Sequence, residues 1–76
     1  MEPLDLRVLE VFREMERDRL DLHTLFEAGG NEPLHRAQVL DAIVNLTREG
    51  MLEASGGDFY SLTERGKGVI SNLSDQ

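Results

Sequence analysis

The run Leu46-Thr47-Arg48-Glu49-Gly50-Met51 fixes where one helix must stop. Glycine readily takes the left-handed backbone that closes a helix. In a Schellman turn the residues at C3 and C″ also meet across that closure. Gly50 then stands at C′, with Leu46 at C3 and Met51 at C″. Reading back from this stop, Pro33 opens the helix, because proline's missing N–H costs nothing in a first turn. The helix is expected over 33–49. At 100° per residue Val39, Leu40, Ile43 and Leu46 share its core side, and Leu34, Ala37, Gln38, Asp41, Asn45 and Arg48 lie opposite.

A strand pair must follow, because Leu52–Ser55 and Phe59–Leu62 are short runs separated by a glycine turn. A two-residue loop at Gly56-Gly57 would set Leu52 opposite Ser61 and mix the faces. A three-residue loop, Gly56-Gly57-Asp58, pairs Leu52 with Leu62 and Ala54 with Tyr60. That register puts all four on one apolar face, and burial favours a consistent face. Glu53, Ser55, Phe59 and Ser61 then point the other way, with Phe59 outside the core at the hairpin tip.

The remaining segments read as helices. Helix 1 is expected over 3–17, with Val8, Phe12 and Met15 at helical spacing and Leu9 beside them. Helix 2 is expected over 21–28: Asp21 is an N-cap residue, and Leu20 and Leu25 stand at the two positions of a hydrophobic staple. Gly29 to Glu32 forms a turn. Thr63 caps a last helix over 63–73, with Ser74 to Gln76 loose beyond it. Glycine costs about 1 kcal/mol relative to alanine inside a helix. Gly66 and Gly68 therefore signal either a close backbone approach or a short, frayed helix.

The chain has 76 residues, which suits one domain with room for little more than these elements. It has no cysteine, so disulfides, thiolate chemistry and cysteine-based zinc sites are excluded. His23 and His35 have no ligand-spaced partner, and the glycine pairs are too short for phosphate loops, so no metal or cofactor is expected. The serines have no positioned base and the carboxylates form no dyad, so an enzyme is not expected. Met1 to Leu6 hold two acids and no basic stretch, which does not read as a signal peptide. No apolar run approaches the ~20 residues of a membrane helix, and a cytoplasmic location is the expectation. The net charge is −7, from 15 acids and 8 bases, and no segment is basic. Such a charge repels phosphate backbones at long range.

The order helix, helix, helix, strand, strand, helix makes a mainly α protein with a small β-hairpin, an α+β class. The run Leu46 to Leu52, together with Tyr60-Ser61-Leu62-Thr63-Glu64-Arg65-Gly66, resembles winged helix-turn-helix proteins, in particular small transcriptional regulators of the MarR and PadR type. The resemblance covers Leu4 to Leu73. It implies a recognition helix from Pro33 to Glu49, a wing at Ser55 to Phe59, and DNA as the default ligand. Dimerisation is implied through helices 1 and 4. The hairpin departs from the pattern, since Glu53 and Asp58 stand where such a wing carries bases.

Two functions follow. In the first, a DNA-binding regulator, Gln38 and Asn45 offer bidentate contacts to adenine, and Arg36 and Arg48 hold phosphates. Asp41 sits in the middle of that face. A two-fold dimer on double-stranded DNA is then implied. In the second, the chain is an acidic protein-interaction or dimerisation module that uses the wing and Phe59 and binds no DNA.

Overall fold

The computed structural model describes residues 2–30 and 32–74. The expected turn residue Asn31 and the tail residues Asp75 and Gln76 lie outside the described residues, as do the side chains of Leu73 and Ser74.

The helix stop is built as its residues require. Gly50 has φ +81°, its N–H donates to the Thr47 carbonyl at 3.1 Å, and the Met51 N–H donates to the Leu46 carbonyl at 2.8 Å. These are the two bonds of a Schellman turn. They end helix α3 (Pro33–Arg48). The chain passes directly into strand β2 (Leu52–Ala54) and returns as β3 (Phe59–Leu62). Leu52 pairs with Leu62 and Ala54 with Tyr60, the register of the three-residue loop.

The hairpin is not alone. A third strand, β1 (Arg19–Asp21), pairs antiparallel with β3, giving the sheet order β1-β3-β2. Arg19 lies opposite Ser61, Leu20 opposite Tyr60 and Asp21 opposite Phe59. The alternation thus extends across three strands. Leu20, Leu52, Ala54, Tyr60 and Leu62 share the inner face, and Arg19, Asp21, Glu53, Phe59 and Ser61 share the outer one.

Before β1 runs helix α1 (Pro3–Met15). It ends two residues before the expected 17, because Glu16 adopts φ +54° and closes a second Schellman turn: Glu16 N–H to the Arg13 carbonyl and Arg17 N–H to the Phe12 carbonyl, both 3.1 Å. After β1, Asp21 caps helix α2 (Leu22–Gly29) by accepting from the Thr24 N–H at 3.4 Å and the Thr24 hydroxyl at 2.5 Å. Helix α4 (Glu64–Ser74) starts at Thr63, whose hydroxyl accepts from the Gly66 N–H at 3.1 Å and donates to the Gly50 carbonyl at 2.6 Å.

One core joins these elements. Val8, Leu9 and Phe12 of α1 meet Leu25 of α2, Val39, Ile43 and Leu46 of α3, Leu52 of the sheet and Ile70 of α4. Gly66 lies where α4 crosses the end of α3. A methyl group there would strike the Met51 carbonyl oxygen and come within 2.8 Å of Leu62 Cδ1. The glycine therefore marks a close backbone approach.

Candidate functional site

Helix α3 packs mainly against α1, α2 and β2, and Leu34, Ala37, Leu40, Asp41, Val44 and Arg48 on its outer side are exposed. Val39, Ala42, Ile43 and Leu46 are its buried residues. Leu40, expected on the core side, is instead 41% exposed. The buried set is centred between Ala42 and Ile43, and Leu40 lies beyond Ile43 on the helical wheel, past the edge of the packed face. Val44, one turn on, is 52% exposed, and Leu34 is 68% exposed. With Ala37, also exposed, these residues give α3 an apolar outer stripe. The stripe borders a shallow groove between helix and sheet, lined by Val44, Thr47 and Arg48 on one side and Ala54 and Tyr60 on the other.

Of the expected contact residues, Asp41 and Arg48 stand on that outer crest and are exposed, whereas Gln38 and Asn45 lie toward α1. Gln38, Asp41 and Asn45 line a second groove, between α3 and the start of α1, together with Glu2 and Asp5. Asp5 is a buried carboxylate whose Oδ2 accepts from the Glu2 N–H at 3.2 Å. Gln38 is exposed and Asn45 half-buried, and both share this groove with the carboxylates of Glu2, Asp5 and Asp41. Arg48 stands between the two sites and also borders a hollow shared with Glu2, Asp5 and Glu49. Arg36 lies on the other flank, its guanidinium carbon 5.7 Å from the centre of the Phe26 ring.

Phe59 points out of the core, as the register requires, yet it is not an open tip aromatic. It is half-buried, with the Arg19 guanidinium carbon 4.1 Å above its ring. Arg19 is held there by Ser55: Nε donates to Oγ at 3.1 Å and Nη2 to the carbonyl at 3.3 Å. The cause is β1, which brings Arg19 to the outer face beside Phe59. The loop itself, Gly56-Gly57-Asp58, carries no base.

The cations are dispersed. Lys67 bridges Asp18 at 3.4 Å and Glu64 at 3.5 Å, and Asp18 first, then Glu64, raises its ammonium pKa above the ordinary lysine value. Arg7 pairs with Glu14 at 3.0 Å and Arg13 with Glu10 at 3.7 Å. His23 meets Glu27 at 2.8 Å. The Asp21 carboxyl is held below the usual carboxylate range, chiefly by the Thr24 hydroxyl. Among the described residues, neither Arg48 nor Asp41 forms an ion pair.

Leu40, Val44, Ala54 and Tyr60 do not stand out from sequence as a surface. The signal available is the i,i+4 spacing of Leu40 and Val44, an apolar pair outside the narrow core stripe. Among the described residues, no helix is long and apolar enough to cross a membrane. No protein-family model, no curated protein and no solved structure matches the chain.

Proposed function

We propose that this chain is a non-enzymatic protein-docking module on a winged-helix-like scaffold, with the outer side of α3 as its docking face. One observation carries the reading: the helix that would enter a DNA groove presents Leu34, Leu40 and Val44 to solvent. Apolar side chains exposed along one helix face suit a protein surface. DNA grooves are read chiefly by polar and cationic side chains, with apolar contacts confined to the thymine methyl. The charge supports the same reading. The chain carries −7, and Asp41 lies on α3 itself. Arg36 and Arg48 are the two arginines of α3, about 120° apart around the helix. This moves the interaction surface from the hairpin tip, where Phe59 is covered by Arg19, to the helix.

A DNA-binding regulator is the second reading, favoured by the bare outer side of α3. The two readings separate in one experiment. Titration with random-sequence duplex DNA at low salt is expected to show no binding. Binding that weakens steeply and linearly on a log–log salt plot overturns the docking reading. In parallel, Leu40→Glu is expected to abolish capture of protein partners from a lysate of the source cells while leaving the melting temperature in place.

A further inference from the structure

Building on the docking reading, we infer that the α3 face receives a second copy of this chain, in an antiparallel two-fold pairing of α3 with α3. The argument is a charge pattern that complements itself. Asp41 and Arg48 are seven residues apart, two helical turns less about 20°, so they stand on one crest about 10 Å apart along the axis. Val44 lies between them, 52% exposed. Both charged groups are exposed, and neither forms an ion pair among the described residues. In an isologous contact, residue i meets residue j and j meets i. With the two-fold axis beside Val44, Asp41 of each copy faces Arg48 of the other, twice over, and the two Val44 side chains meet at the centre.

The same register explains the groove. Leu40 of each copy comes level with the end of the other copy's α3. There the groove lined by Val44, Thr47, Ala54 and Tyr60 opens, with a volume of about 320 Å³. That space accepts a leucine side chain. Apolar burial and two reciprocal ion pairs then act against the repulsion between two copies of charge −7. One helix face and one groove per copy make a small interface, which corresponds to a weak, reversible dimer and not an obligate one. The pairing also covers α3, so any other ligand of that face competes with it.

Sedimentation velocity from micromolar to millimolar concentration tests this. A concentration-dependent monomer–dimer equilibrium is expected. Asp41→Arg and Arg48→Asp should each weaken it by about tenfold or more, since each creates two like-charge contacts. The doubly reversed chain, carrying both substitutions, should recover to within about threefold of wild type, because the swap restores both pairs. Leu40→Glu should abolish the dimer without lowering the melting temperature, which separates loss of contact from loss of fold. A chain that stays monomeric throughout overturns the pairing, and so does failure of the double reversal to rescue. If the wild type is monomeric yet Leu40→Glu still abolishes capture of another protein, the self-pairing falls and the docking reading stands. If the chain binds duplex DNA, the docking reading falls first.

Discussion

Replacing Gly66 with alanine adds one methyl group and sets two effects of opposite sign against each other. In a helix interior alanine is favoured over glycine by about 1 kcal/mol. Here the new Cβ meets the Met51 carbonyl oxygen at a separation that real structures do not hold, with Leu62 Cδ1 at 2.8 Å. Leu62 can turn aside, but the Met51 carbonyl cannot. It accepts the Thr63 N–H at 3.1 Å, and the Met51 N–H is tied to Leu46 in the turn that closes α3. Relief therefore requires α4 to slide off the end of α3. Overpacking of this kind costs about 1–3 kcal/mol, and a fixed backbone atom places it at the upper end. After the propensity gain, about 1–2 kcal/mol of destabilisation remains. For a domain of this size that lowers the melting temperature by about 5–15 °C. Gly68 is the internal control, since a Cβ there meets nothing within 4 Å. Gly68→Ala should keep most of the propensity gain and raise the midpoint by a few degrees. Thermal denaturation followed by circular dichroism measures both. A Gly66→Ala chain as stable as wild type, or more so, refutes the close approach between α4 and Met51.

Three further outcomes are expected. Glu16→Gly relieves a left-handed residue at φ +54° and should stabilise by about 0.5–1 kcal/mol, read as a higher urea midpoint at unchanged m-value. Leu46 is fully buried, and Leu46→Ala should cost about 2–5 kcal/mol. That compares with a total of about 4–11 kcal/mol for a domain of this length, so the variant should be partly unfolded at 37 °C by circular dichroism. The Asp21 carboxyl has a lowered pKa, so its contribution is present above the ordinary carboxylate range and is lost as pH falls through its folded value. Asp21→Asn keeps a capping oxygen that does not titrate and should flatten the acid limb of stability against pH below about pH 5.

Legibility tracked how local each cause was. The Gly50 turn, the Asp21 and Thr63 caps and the Leu52–Leu62 register rest on residues adjacent in sequence or joined by one short loop, and all were readable. Strand β1 was not, because Arg19-Leu20-Asp21 is too short to show alternation and becomes a strand only through β3. Without β1, Phe59 looks bare, when in the fold Arg19 arrives from 40 positions away to cover it. Glu16 escapes for another reason: a left-handed glutamate carries no composition signal, and only the Arg13 and Phe12 carbonyls reveal the turn. On α3 the wheel separates core from surface but cannot say which neighbour lies on each flank. Gln38 and Asn45 read as outward amides, and Gln38 is exposed, but the wheel does not show that the start of α1 borders their side. The exposure of Leu40 follows from the same missing information.

Asp41 is where the competing readings of α3 make opposite predictions. Suppose α3 entered a DNA groove. The arginines on α3 itself are Arg36 and Arg48, so the helix would neutralise about two phosphates, and log K would fall against log salt with a slope of about −1.8. That is weak beside the roughly six to ten contacts of strong binders, and Asp41 would subtract from it. Asp41→Arg would then remove a repulsion and add one phosphate contact, steepening the slope by about 0.9 and tightening binding at low salt. In the paired arrangement the same substitution sets the introduced guanidinium of one copy against Arg48 of the other at both ends of the contact, and association is lost. Only Arg48→Asp on the same chain brings it back. One variant, measured by salt-dependent DNA titration and by sedimentation, thus moves the two activities in opposite directions. A tighter, steeper DNA isotherm with unchanged self-association would return α3 to the groove of a nucleic acid. Lost self-association with a flat DNA response assigns the face to a second copy of the chain.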